Sequence, residues 1–143
     1  MTRIPRQKRA LATVDAIVEA GFLAVAEHGE AGATTNHIAE IAGISVGSLY
    51  EYFRNKEAIY TAMQERMVND AVTMIQPLVN EVVQLDVRDA VKTLLHHFET
   101  FLRDNDGRYL KYAQHSLNVS VKLHVEPLIR LLQELVMRYA MQH

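Results

Sequence analysis

At 143 residues, 49% of them hydrophobic and with a formal net charge of −2, the chain has the size of one ordinary domain and too much apolar surface to stay disordered. It contains no cysteine, which excludes disulfide scaffolds, thiolate zinc sites and cysteine nucleophiles and is compatible with a reducing cytosol. No apolar run reaches the roughly 18 residues of a membrane span, and the basic start, Met1 to Arg9, lacks the apolar stretch of a signal peptide, so a cytoplasmic protein is expected.

Helix formers recur at helical spacing and strand-like alternation is almost absent, which predicts an all-α fold. The first helix is expected over about 7–28, with Leu11, Val14, Ile17, Val18, Phe22 and Val25 as its apolar stripe and His28-Gly29 as its end. A loop from Glu30 to Ala33 leads to Thr34-Thr35, an N-cap for a short helix over about 36–42 with Ile38, Ile41 and Ala42 facing inward. Gly43 suits a left-handed turn, and Ser45 caps a third short helix, about 46–52, with Leu49 and Phe53 inward. Asn55 caps a fourth helix whose face runs Ile59, Met63, Arg66/Met67, Asp70/Ala71 and Met74 and which Pro77 kinks or stops at Gln76. Asp86 caps a helix over about 87–104 with the stripe Leu94, Leu95, Phe98, Phe101 and Leu102. Asn105-Asp106-Gly107 is a turn signal. A helix from Arg108 to Leu117 follows, and then a last one through Leu128, Leu131, Leu132, Leu135 and Tyr139, started or bent by Pro127.

Gly43-Ile44-Ser45-Val46-Gly47 fits G-x-S-x-G, the pattern of a hydrolase nucleophile elbow. An elbow needs a strand before its serine, whereas the residues before Gly43 read as a helix behind a threonine cap. The same residues satisfy a helix-turn-helix: small Ala39 at the crossing, Gly43 in the turn, and Ile44 and Leu49 to pin the second helix on the first. An esterase built on Ser45 is therefore set aside, and no enzyme activity is expected. His37 and Glu40 form a lone pair, read as a surface histidine beside an acid, and His96 and His97 are adjacent and point apart. His97, His115 and His124 are left open as a group, so no metal site and no cofactor are expected.

Thr34-Thr35, Ile38-Ala39, Ala42-Gly43-Ile44-Ser45, Gly47-Ser48-Leu49-Tyr50, Tyr52-Phe53 and Asn55-Lys56-Glu57 together resemble the N-terminal DNA-binding domain of TetR-family transcriptional regulators, over about residues 8–62. The resemblance implies a three-helix DNA-binding domain over 1–55 and a helical ligand-binding and dimerisation region over 56–143. It places DNA contacts on Thr35, Ser45, Val46, Gly47, Ser48, Tyr50, Tyr52 and Lys56. Val46 and Ser48 are the variable positions of the recognition helix, where a thymine methyl or a base edge could be read. Gly47 would let the backbone approach the duplex, and Tyr50 and Tyr52 would bond phosphates unless their rings pack in the core. Lys56 stands at a helix N-terminus, where the macrodipole disfavours a cation and a phosphate would offset it. Arg3, Arg6, Lys8 and Arg9 form a basic arm for the DNA backbone or a solubilising tail.

In the later helices the resemblance implies an effector pocket, for which Met67, Phe98, Phe101, Tyr109, Tyr112 and His115 are candidates. Residues at such spacing also serve as plain core. TetR-family chains usually continue past this length, so the chain, ending at His143, is expected to lack the last helices, as a short form or a fragment. The expected function is a ligand-responsive repressor: a homodimer when full-length, bound to a palindromic operator in double-stranded DNA and released by a small-molecule effector. The alternative is a helical protein-interaction adaptor with a degenerate DNA-binding domain.

Overall fold

A computed structural model of the chain describes residues 3–116 and 125–143, with side chains from Gln7 onward. The side chains of Arg3 and Arg6, and residues Leu117 and His124, lie outside this set. The described residues are helical throughout, without strands. The elements are α1 (Arg3–Gly32), α2 (Thr35–Ala42), α3 (Val46–Tyr52), α4 (Lys56–Ile75), a 3-10 turn (Gln76–Leu78), α5 (Val79–Val82), α6 (Val87–Ser116) and α7 (Glu126–Gln142).

Two compact units divide the chain. The first holds the described residues up to Met63 together with Lys111–Ser116. Its core is Ile17, Val18, Phe22 and Val25 of α1 against Ile38 and Ala39 of α2, Leu49 of α3, and Ile59 and Met63 of α4, all buried. Burying a side chain such as Leu49 stabilises by about 1.5–3 kcal/mol. Gly21 allows α4 to pack close, since a Cβ at this position would lie 2.5 Å from the Met63 sulfur. Leu11 departs from its expected place in the stripe and is exposed, because it precedes the first residues that α1 buries. Ile41 is likewise partly exposed, on the outer side of a helix too short to bury two faces.

α1 breaks at Gly29, whose positive φ (76°, with ψ 167°) is a conformation that glycine adopts without strain. The expected loop after it is instead one more helical turn, closed by the Ala33 amide on the Gly29 carbonyl at 3.0 Å. Pro77, with no amide hydrogen, ends α4 at Ile75, one residue early, but the chain continues through the 3-10 turn into α5.

The second unit comprises Gln64–Leu110 and the described residues from Val125 onward. Val79, Val82, Val83, Ala90, Leu131 and Leu135 form its buried cluster. Asp86 caps α6, accepting the Asp89 amide at 3.0 Å. α6 is interrupted where expected: Asn105, Asp106 and Gly107 all have positive φ, tolerated by Asn, Asp and Gly. The expected stripe of α6 holds at Leu94, which packs against this cluster, and is corrected at Leu95 and Phe98. Ala90 points into the core, whereas Leu95 and Phe98 are exposed and align with exposed Val87 and Val91 at helical spacing. On α7, Leu131 and Leu135 face in and Leu132 lies outward beside Ile129 and Val136. Small Ala90, the residue of α6 in this buried cluster, gave the weaker signal because hydropathy marks size as well as burial.

Candidate nucleic-acid interface

α2 starts from a capping box. The Thr34 hydroxyl accepts the His37 amide at 3.1 Å, and His37 Nδ1 accepts the Thr34 amide at 3.2 Å. The His37 ring also stacks on His28, with centroids 3.9 Å apart. It is therefore a half-buried capping residue rather than the surface histidine expected, the signal being its place three residues after Thr34.

The turn that follows is set by Gly43 in the left-handed conformation (φ 75°, ψ 29°). The Gly43 amide bonds Glu40 O at 3.1 Å and the Ile44 amide bonds Ala39 O at 3.0 Å, a Schellman closure of α2. Ser45 then caps α3: its Oγ accepts the Ser48 amide at 3.0 Å and donates to Ser48 Oγ at 2.9 Å. The residues before Gly43 are helical, so the strand that a nucleophile elbow requires does not precede Ser45.

The candidate DNA-contact residues fall into distinct groups. Ser45 and Ser48 are bonded together at the start of α3, with Gly47 exposed between them and Val46 half-buried beside them. Thr35 Oγ1 lies 3.0 Å from the Tyr50 hydroxyl, so the first residue of α2 meets the middle of α3. Tyr50 and Tyr52 are 49% and 39% exposed, so neither ring is a core residue. Lys8 and Arg9 are exposed on α1.

Lys56 is placed differently from this group. Asn55 caps α4 as expected, accepting the Ala58 amide at 2.9 Å, but the Lys56 ammonium turns back onto α1. It donates to Ala33 O at 2.8 Å and to Glu30 O and Ala31 O at 3.4 Å each. Two neighbours escaped the sequence reading. The Tyr60 hydroxyl, one turn along α4, donates to the same Glu30 carbonyl at 2.6 Å. The Glu30 carboxyl is raised above the ordinary carboxylate value by burial, a shift the Lys56 charge partly offsets. Burial also pushes the Tyr60 hydroxyl well above the usual phenol value. The available signal was the four-residue spacing of Lys56 and Tyr60, which puts both on one face of α4.

The family model for bacterial regulatory proteins of the tetR family matches residues 17–63, the span that carries this arrangement. The chain is 30% identical over 102 residues to the nucleoid occlusion factor SlmA of Haemophilus ducreyi, covering 69% of this chain and 50% of that protein. It is 27% identical over 131 residues to IcaR of Staphylococcus epidermidis, the negative transcriptional regulator of the biofilm operon icaADBC, covering 87% of this chain and 68% of that one. Among solved structures it resembles the fatty acid degradation regulator FadR of Bacillus halodurans, with a TM-score of 0.71, 28% identity, and coverage of 86% of this chain and 68% of that one. Residues 17–63 thus match the TetR family. A TetR-family structure from Mesorhizobium loti shares the fold, with a TM-score of 0.62 at 16% identity over 94% of this chain and 61% of that one. The chain thus spans half the length of SlmA and about two thirds of the length of IcaR.

The candidate effector residues are divided between the units. In the second unit, Tyr109 is buried and donates to an Asp70 carboxylate oxygen, with its ring stacked 4.8 Å from Phe101. Burial first, and then the Asp70 bond, push the Tyr109 hydroxyl well above the usual phenol value. Met67 is half-buried and Phe98 is exposed. In the first unit, Tyr112 packs edge-on against Phe22 at 5.4 Å and His115 is exposed. Among the described residues no group of three or more His, Cys, Asp or Glu is placed to hold a metal ion, and no helix is long and apolar enough to cross a membrane.

Proposed function

We propose that this chain is a DNA-binding transcriptional regulator of the repressor type, cytoplasmic, acting on a palindromic operator as a homodimer and released by a small-molecule effector. The observation that carries the reading is the capped α2–turn–α3 unit, which leaves Val46, Gly47 and Ser48 accessible at the start of α3. Residues 1–55 are the DNA-binding domain and 56–143 the effector and dimerisation region. Thr35, Ser45, Tyr50 and Tyr52 contact phosphates, Val46 and Ser48 read bases, and Gly47 admits the backbone. IcaR, a negative regulator by name, supports repression.

Dimerisation is supported by the second unit, where Val87, Val91, Leu95 and Phe98 of α6 and Ile129, Leu132 and Val136 of α7 expose apolar stripes of the kind partner helices cover. An apolar cavity of about 270 Å³ lies between Val82, Ala90, Leu94, Leu135 and Tyr139 of the same unit. It supports an effector with apolar character, for which Met67, Phe98, Phe101 and Tyr109 are further candidates within this unit. Effector binding shifts α4 and with it the separation of two recognition helices, which must lie about 34–36 Å apart, or a multiple of that, to fit successive half-sites.

The test is selection of bound duplexes from a random pool with the complete protein. An enriched palindrome supports the reading, and Val46 and Ser48 substitutions should then change the preferred bases by about 1–3 kcal/mol per position. A protein that selects no sequence at moderate salt is not an operator-binding regulator, and its exposed stripes on α6 and α7 would then favour a protein-interaction adaptor.

A further inference from the structure

The carbonyls that close a helix have no partners within it and carry the negative end of its dipole. At the end of α1 those of Glu30, Ala31 and Ala33 converge on one cation, the Lys56 ammonium. One turn along α4, Tyr60 adds its hydroxyl to the Glu30 carbonyl, and the ammonium sits 5.5 Å from the Tyr60 ring centroid. α4 is thus fastened at two points, Lys56 and Tyr60, to the turn that follows the break at Gly29. The shortest ammonium bond is to Ala33, the residue immediately before the Thr34 cap of α2.

We propose that Lys56 and Tyr60 are positioning residues for DNA recognition: they clamp the start of α4 to the last carbonyls of α1 and so fix where α2 and α3 begin. The inference rests on the DNA-binding reading above. Lys56 acts through the α1 carbonyls, with its three N–H groups directed at them, and not through a bond to a phosphate. The half-buried Glu30 carboxyl, whose Oε2 has no hydrogen-bond partner among the described residues, also has a favourable charge interaction with Lys56. Movement of α4 would withdraw both donors from the turn that leads into α2.

The experiment uses the complete protein and a duplex selected by it, with affinity measured by fluorescence anisotropy across a salt series. Lys56→Met and Tyr60→Phe are each expected to weaken binding several-fold, with thermal unfolding showing both folded at the assay temperature. The double variant should lose less than the product of the single losses, because one clamp is broken either way. Lys56→Arg, which keeps donors for the carbonyls, should restore most of the affinity. The decisive quantity is the slope of log K against log salt, expected to be unchanged in Lys56→Met. A slope smaller by about 0.9 would mean that a phosphate contact had been lost, and overturns the proposal. Wild-type affinity in Tyr60→Phe, or variants that lower the melting temperature and leave affinity intact, overturn it as well. Should Lys56→Met not fold, Tyr60→Phe carries the test. A wild-type protein that selects no sequence refutes the underlying reading instead.

Discussion

Gly47 occupies the second position of α3, and nothing in the described chain requires glycine there. A Cβ at this position would meet only Ser45 Oγ, at 3.9 Å, an ordinary contact. Replacing glycine by alanine within a helix stabilises by about 0.5–1 kcal/mol, and the lower end is expected in the first turn of a helix of seven residues. Gly47→Ala should therefore stabilise the free protein by about 0.5 kcal/mol, raising its melting temperature by about 1–3 °C. On DNA the same methyl group would occupy the place where the backbone is proposed to approach the duplex. Forcing an extra methyl into a close-packed contact costs about 1–3 kcal/mol, which weakens binding about 5- to 150-fold.

The two effects have opposite signs, so one substitution separates the needs of the fold from the needs of the interface. Circular dichroism melts give the first, and anisotropy titrations with a selected duplex give the second. Wild-type DNA affinity in Gly47→Ala would refute close approach at this residue. A lowered melting temperature would refute the space reading.

Thr34→Ala removes the hydroxyl from the capping box of α2 and should destabilise by about 1 kcal/mol in urea unfolding, with Thr34→Ser close to wild type. Gly21→Ala drives a methyl against the buried Met63 sulfur, an overpacking cost of about 1–3 kcal/mol that should exceed the helix-propensity gain of about 1 kcal/mol. A lower melting temperature than wild type is expected, and a neutral result would show that Met63 moves aside. Glu30→Gln addresses pH. The folded Glu30 carboxyl titrates above its unfolded value, so its favourable contribution is present below the unfolded value and lost as pH rises through the raised folded one. Glu30→Gln should thus melt higher than wild type at neutral pH, with the gap narrowing toward about pH 4. A gap that widens on acidification would contradict the shift.

The helices were legible because their signals are local. Thr34, Ser45, Asn55 and Asp86 each cap the helix expected of them through an amide three residues on. Gly43 and Asn105-Asp106-Gly107 turn the chain where the sequence asks for left-handed residues. The faces were less legible. Leu95 and Phe98 carry the same periodicity whether α6 presents them to its own core or to a partner, and the choice between those is made by residues far along the chain. α5 was missed for a related reason: Pro77 ends an α-helix but permits a 3-10 turn, and whether the chain then resumes its helix depends on Val79 and Val82 finding a core.

Lys56 shows where a sound local argument stops. A cation at the N-terminus of α4 opposes the helix dipole, so the sequence rightly asks for an electron-rich partner there. Sequence supplies no list of partners from distant residues, and a phosphate was the natural external candidate. The chain provides an internal one: three carbonyls at the end of α1, from 23 to 26 residues upstream. The negative end of one helix dipole thereby offsets the positive end of another, through a single side chain. This pairing also gives Gly29 a purpose that its position alone did not disclose. By breaking α1 there and allowing one further turn, the chain brings the carbonyls of Glu30, Ala31 and Ala33 to the lysine. A straight continuation of α1 would direct those carbonyls along the helix axis. The break at Gly29, the clamp at Lys56 and the cap at Thr34 are then successive parts of one device for starting α2.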